Sequence, residues 1–485
     1  MNDSSSACEL SGRKRKLETT FSDSKYGCAL VTRWFVKCGI AVFILLGCAN
    51  LTSISKADAP TQSAALPSEQ RLSLAQAKEI AFRSNWDLLA AKSGVDAATA
   101  QLIMAKEFPN PTVSLLTARI GSHDSSTPMG NGIYSRNYDT ILQVNQLIEI
   151  AGKRHDRQVA GRAGVAGARA RFFDAKRTLD QGVTKAYIAA LLANENERNL
   201  NESSGYLQQE VKIADARFKG GDVSDADKKQ IEINAEQFEL QAKAAQAAAV
   251  QARIALEILL GVSEPKGDWS PTDSLEQLVQ ASAPATETNA PGERPDVLAA
   301  EADLRGGKAQ LKLQKAERVP DPTFSVGVEH NPPGGGPGVG PDVNTIIAGV
   351  SLPLPLWNFN GGNIKAAQAG VDQFQIALEK LKAQTAADVA NAESTYNEAR
   401  TRWQLYRDVT GPKAGQVRDS VSFAYNKGGA SLVDLLNAEQ TDNTIRLALA
   451  QAMSDTASAA ADLNAARATL SENEVLSSHE PLAQK

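Results

Sequence analysis

Cysteine is missing from almost the whole chain: all four, Cys8, Cys28, Cys38 and Cys48, lie within the first 48 of 485 residues. Whatever follows them holds no disulfide and no thiolate metal site. Past the same point no apolar run reaches the roughly 18 residues of a membrane-spanning helix, so any crossing of a bilayer must be made by strands. Aromatic residues make up only 5% of the chain, which suits long helices touching through small side chains better than a thick globular core. Charge of one sign is lacking too: 51 basic against 56 acidic residues leave a net −5, with no footprint of a nucleic-acid binder. No nucleophile elbow, phosphate loop or His-Glu metal motif occurs. "PPGGGPGVGP" (332–341) has glycines but no Lys-Ser/Thr after it. Neither an enzyme nor a cofactor is expected.

At the N-terminus, "RWFVKCGIAVFILLGCAN" sets Arg33 and Lys37 ahead of an apolar run from Gly39 to Leu46. This is the layout of an export signal. The polar stretch ahead of it, residues 1–30, fits a true start codon further downstream. "LLGC" (45–48) resembles a lipobox with Cys48 as the acylated residue, and ordinary cleavage near Ala49 or Ala59 is the alternative.

The segments that follow come in two similar sets. "LSLAQAKEIA" (72–81) offers Ser73 and Gln76 as a capping box for a helix running to Lys106. Pro109 and Pro111 in "FPNPTVSLLTARIG" break it and launch an extended segment. "YDTILQVNQLIEI" (138–150) alternates, with Tyr138, Thr140, Leu142 and Val144 on one face and Asp139, Ile141, Gln143 and Asn145 on the other. No proline occurs between Gly152 and Pro265, and Gly152–Phe218 reads as one helix of roughly 100 Å at about 1.5 Å per residue. A return helix runs from Ser224 to Leu260. Residues 263–293, rich in Pro, Thr, Ser and Gly, read as a linker with little regular structure.

Then the order repeats. "RPDVLAAEADLRGGKAQLKLQKAE" is a helix, "VPDPTFSVGVEH" a strand with Phe324, Val326 and Val328 on one face, and "VNTIIAGVSLPLPLW" a strand ended by Pro353 and Pro355. Gly361–Lys427 is the second long helix, with a kink expected at Gly411-Pro412, and Ser431–Leu470 returns. The repeat is sharpest in its turns. "RFKGGDVSDADKK" (217–229) and "AYNKGGASLVDLL" (424–436) align Phe218 with Tyr425, Gly221 with Gly428, Ser224 with Ser431 and Asp227 with Asp434, each pair 207 positions apart. In both, a glycine able to adopt the left-handed conformation ends one helix and Ser-x-x-Asp caps the next. The expected divisions are 1–59 for the signal and N-terminal segment, 60–262 for the first repeat, 263–293 for the linker, 294–470 for the second repeat and 471–485 for a polar tail.

Four strands of about ten residues can each cross a tilted path through a bilayer. They cannot close by themselves, and an open edge in lipid leaves unpaired N–H and C=O groups costing several kcal/mol each. Three chains supply twelve strands, so a trimer is the most economical closure. The glycine-rich connections 121–132 and 331–340 would then lie at the outer end of the strands, and the long helices at the other.

The stretches "FPNPTVSL", "IEIAGKRHDR" (148–157) and "PLPLWNFNGGNIKAA" (353–367), with the two Gly-x-x-Ser-x-x-Asp turns, resemble the TolC-like outer-membrane factor family, in its cobalt-zinc-cadmium resistance branch. The likeness covers residues 71–470, and Ala151 stands where a glycine is usual. It implies a mainly α fold with four β-strands, internally duplicated: a TolC-like duct in which a trimeric 12-stranded outer-membrane β-barrel continues into a 12-helix periplasmic α-barrel. A homotrimer, a periplasmic adaptor, an inner-membrane RND pump and outer-membrane lipid are the implied partners. The implied cargo is heavy-metal cations (cobalt, zinc, cadmium, or copper and silver). A duct for drugs or secreted proteins, and a channel-less periplasmic coiled-coil scaffold, are the alternatives.

By the same resemblance both turns sit at the periplasmic tip. Asp227 and Asp434 would form rings of negative charge there, or serve only as helix caps. Gly221, Ser224, Gly428 and Ser431 would meet the adaptor, though turn geometry explains them equally. Gly152, Lys153, Arg154 and Arg157 are the membrane-proximal basic motif, able to meet anionic headgroups or to form a solvated helix face. His123 and His330 fall at the outer loops, and His155 and His479 stand alone. With no cysteine or compact carboxylate partner, all four read as solvated rather than as zinc ligands.

Overall fold

A computed structural model of the chain describes residues 71–118, 139–281, 293–331 and 343–468. The export signal, Cys48, His123, His479, the tail and most of both glycine-rich connections lie outside the described residues.

In chain order the elements are β1 (Arg71–Leu72), α1 (Leu74–Ser84), α2 (Trp86–Lys106), β2 (Thr112–Ala118), β3 (Asp139–Leu147), α3 (Lys153–Gly220) and α4 (Asp225–Leu259). There follow β4 (Ser270–Pro271), α5 (Leu275–Ala281), α6 (Pro295–Ala316), β5 (Thr323–Asn331), β6 (Val343–Ser351), α7 (Gly361–Leu405), a π-helical turn (Tyr406–Thr410), α8 (Gly411–Asn426) and α9 (Leu432–Arg467). Ser73 forms the full capping box with Gln76.

Three sequence expectations change. The first helix is not continuous to Lys106, because Asn85 leaves it in an extended conformation (φ −64°, ψ 128°). Its side chain accepts from Leu88 N to start α2 and donates to Leu259 O, while Ser84 Oγ lies 2.7 Å from Leu260 O. The last carbonyls of α4 need donors, and the break supplies them. Second, the stretch 263–293 is not a plain linker. Ser270 and Pro271 pair in parallel with Arg71 and Leu72, α5 follows, and buried Trp269 stacks on Tyr187 with ring centroids 6.0 Å apart. One large aromatic pins a segment whose average composition reads as loop. Third, the interruption expected at Gly411-Pro412 takes the form of a π-helical turn just ahead of it. Pro412 offers no N–H, and Gly411 N–H reaches back five residues to Tyr406 O, so one wide turn absorbs the fault and the helix continues.

β2, β3, β5 and β6 form an antiparallel sheet in that order. Its register aligns side chains in rows: Val113, Val144, Val326 and Ala348 in one, Leu115, Leu142, Val328 and Ile346 in another. These side chains share one face, and Val113, Leu115, Val326 and Ile346 are more than half exposed. On the opposite face the row Thr112, Asn145, Ser325 and Gly349 is polar or small, the other rows add Leu116, Ile141 and Ile347 among polar residues, and Asn145 Nδ2 donates to Ser114 Oγ across the strands. One face therefore carries apolar rows throughout its middle and the other is mixed and more polar. At Gly327 an added Cβ would fall 2.5 Å from Leu142 O on the neighbouring strand, so no side chain fits there without a shift of that backbone. Among the described residues β2 and β6 are the edge strands of the sheet.

α3 is the spine, packing along α2, α4, α6 and α9, while α9 also packs on α7 and α8. The largest core cluster gathers Leu72, Val183, Tyr187, Ile188, Leu256 and Trp269, where α3 passes β1, β4 and α5. Smaller clusters join α6 to α7 through Val297, Leu304, Leu311, Val371 and Leu378, and elsewhere small residues such as Ala170, Ala399, Ala459 and Ala460 carry the contacts.

Candidate functional site

The two turns are the same structure written twice. Gly221 and Gly428 take φ of 85° and 80°, a conformation costly for any residue with a Cβ. Asp222 N donates to Arg217 O (2.9 Å) and Gly221 N to Phe218 O (3.1 Å). In the second turn Gly429 N donates to Ala424 O (2.8 Å) and Gly428 N to Tyr425 O (3.0 Å). These paired bonds satisfy helix-end carbonyls in the Schellman manner, and every partner obeys the 207-residue shift.

The next helix starts alike. Ser224 Oγ accepts from Asp227 N (3.0 Å) and donates to Asp227 Oδ2 (2.8 Å). Ser431 Oγ accepts from Asp434 N (3.2 Å) and donates to Asp434 Oδ2 (2.7 Å), and Ser431 N donates to the same carboxylate. The Ser431 side chain and backbone hold the Asp434 carboxyl below its ordinary range. Both aspartates cap helices, and both are exposed.

Around this frame lies a set of charges whose sequence spacing gives them away only in part. Asp215 receives Lys219 Nζ (2.6 Å) and Lys228 Nζ (2.7 Å), which clamp the end of α3 to the start of α4 and hold its carboxyl down to about 2. Lys228 also sits over the Phe218 ring. Arg217 joins the two hairpins. Its Nη2 donates to Asn426 O (3.0 Å) and its guanidinium lies over the ring of buried Tyr425, 5.3 Å from the centroid. Burial raises the Tyr425 hydroxyl, with the Arg217 charge opposing.

Two buried-side carboxyls, Glu210 on α3 and Glu439 on α9, are also raised by desolvation. Nearby, Arg418 pairs with Asp419 and Asp442, and Arg446 with Asp442 and Glu202. The Arg446–Glu202 contact ties α9 to α3.

At the other end, where strands become helices, the basic motif turns inward. Gly152 caps α3 at φ 78° after Ala151 at 59°. Lys153 is 7% exposed, its Nζ 2.7 Å from Asp321 Oδ2 and 2.6 Å from Val319 O, while Asp321 Oδ1 accepts from Ile150 N. Arg157 forks onto Glu149. Arg154 Nε and Nη2 donate to Lys106 O, and its guanidinium centre lies 3.7 Å from the Phe108 ring centroid. Lys153 thus ties the first repeat to the second through Asp321, while Arg157 ties the start of α3 to the end of β3 within the first repeat. The missed partners, Glu149 and Asp321, each lie next to a proline launch or a strand end, a signal the sequence did carry.

His330 Nδ1 lies 2.9 Å from Asn344 Oδ1 across β5 and β6, and His155 is exposed. Among the described residues no group of three or more His, Cys, Asp or Glu could hold a metal ion, and no helix is long and apolar enough to cross a membrane.

Comparison with known proteins agrees with this geometry. The cobalt-zinc-cadmium resistance protein CzcC of Cupriavidus metallidurans is 23% identical over 76% of this chain and 84% of its own length. The nickel and cobalt resistance protein CnrC of the same organism is 26% identical over 63% and 71%. Among solved structures, the outer membrane protein VceC of Vibrio cholerae superposes with a TM-score of 0.63, at 19% identity, over 81% of this chain and 95% of that one. The family described as outer membrane efflux protein matches residues 79–262 and 288–469, one stretch for each half of the chain, and the chain belongs to that family.

Proposed function

We propose that the chain is the passive exit duct of a tripartite efflux system, that it works as a homotrimer, and that its cargo is heavy-metal cations. Members of the family are outer-membrane channels rather than enzymes, and this chain resides in the outer membrane with its long helices in the periplasm. The family's channels are trimers that work with periplasmic adaptors and inner-membrane RND pumps.

The observation that carries the duct reading is the four-stranded sheet. It has one apolar face, one mixed and more polar face and two edge strands among the described residues, and is continuous with paired helices long enough to reach deep into an aqueous space. A free edge in hydrocarbon is unstable, so copies must supply each other's missing neighbours. A coiled-coil scaffold has no use for such a sheet. The metal cargo rests on the relatives, whose names state cobalt, zinc, cadmium and nickel resistance.

Deletion of the gene followed by growth on a panel of metals and antibiotics tests the cargo. Sensitivity to cobalt, zinc, cadmium, copper or silver supports it, and sensitivity to hydrophobic drugs alone removes the metal reading while leaving the duct. The two capping aspartates are proposed to do double duty as rings of charge at the tip, with the turn glycines and serines facing the adaptor. Replacing both Asp227 and Asp434 with Asn should then lower cation block in single-channel recordings, whereas an unchanged electrical profile reduces them to caps.

A further inference from the structure

Two apolar surfaces flank the sheet at its helix end. On the β2 side, Phe108–Pro111, Gln146–Glu149 and Arg154 line a cleft of about 520 Å³. Phe108 is 69% exposed although Arg154 covers one side of its ring. The only carboxylate in the lining, Glu149, is neutralised by Arg157. On the β6 side, the chain leaving the sheet carries exposed Leu354, Leu356, Trp357 and Phe359, with Trp357 91% exposed. Pro353 and Pro355 offer no ladder donors, so this run cannot extend β6 and its side chains are free to seat elsewhere. A contiguous apolar run of this kind marks an interaction site.

Strand polarity says where. Thr112, Asn145, Ser325 and Gly349 form one row, so β2 begins and β6 ends at the same end of the sheet. When identical copies close a ring, β6 of one copy adjoins β2 of the next, antiparallel. The run after β6 then lies beside the segment before β2.

We propose that Leu354–Phe359 of one copy seats in the Phe108–Arg154 cleft of the next, the indole of Trp357 packing against the side of Phe108 that Arg154 leaves open. This rests on the trimeric reading above. Each subunit's cleft is incomplete without its neighbour, and the contact seals the barrel where the sheet hydrogen bonds stop.

The test is a Phe108→Cys/Trp357→Cys double variant, oxidised in outer-membrane vesicles, with each single variant as control. Covalent dimers and trimers only in the double variant are expected. Native mass spectrometry of the same samples separates the failures: trimers without cross-links overturn the seat and spare the trimer, while the absence of trimers overturns both. A second measurement leaves the cleft intact. Brominated phospholipid should quench Trp357→Phe by at least as large a fraction as wild type, because a seated, shielded indole adds only unquenched emission. A large loss of quenching in Trp357→Phe would show the indole in lipid and overturn the proposal.

Discussion

Arg217→Ala should open the tip. Arg217 is the side chain seen to bridge the two turns, through a charge-assisted hydrogen bond to Asn426 O and a position over the Tyr425 ring. A hydrogen bond to a charged group contributes about 1.5–3 kcal/mol when well shielded, which partial exposure to solvent reduces to about 1 kcal/mol. The ring adds about 0.5–1 kcal/mol at an exposed site. Three subunits opening together would lose about 5 kcal/mol, or between three and four orders of magnitude in the ratio of closed to open ducts. Planar-bilayer recording of purified trimers reads this directly. Wild type should conduct in small, rare steps and Arg217→Ala in large, persistent ones, with Arg217→Lys between them because it keeps charge but loses the planar guanidinium. Indistinguishable conductance and open probability in Arg217→Ala and wild type would refute the reasoning.

Two further outcomes follow from the charges. Asp321→Ala strands a buried ammonium and should cost about 3–5 kcal/mol, while pairing it with Lys153→Met should recover more than half of that; melting temperatures of the purified trimer check both, and strictly additive losses would contradict the buried-pair account. The depressed Asp215 carboxyl stabilises the turn above its unfolded value near 3.8 and loses that contribution as pH falls through about 2. Amide exchange in residues 215–230, corrected for intrinsic rates, should accordingly keep its protection at pH 4 and lose it near pH 2.

What could be read from residues alone was whatever depends on neighbours in sequence. The turns were legible because a left-handed glycine and a Ser-x-x-Asp cap act within four residues of one another. The sheet faces were legible because alternation needs no partner to be seen. Arg217 escaped notice because its partner, Asn426, lies 209 positions away and is chosen by how the hairpins coil. The Lys153 ion pair was hidden for a related reason: headgroups or solvent are what a basic motif at the foot of a strand suggests, and only the fold brings Asp321 to it. The helix break at Asn85 answers a demand made by the end of α4, which no local propensity contains. Trp269 shows the reverse, one aromatic outweighing the loop-like average of its segment.

The repeat that makes the turns alike is imperfect at the residue that joins them. The position equivalent to Arg217 is Ala424, and the one equivalent to Tyr425 is Phe218. In the proposed trimer six hairpins would meet at six seams, and the guanidinium latch could exist in only the three that lie inside a subunit. Loosening of the unlatched joints between subunits would then not suffice for full dilation, which also requires the three latched seams to part.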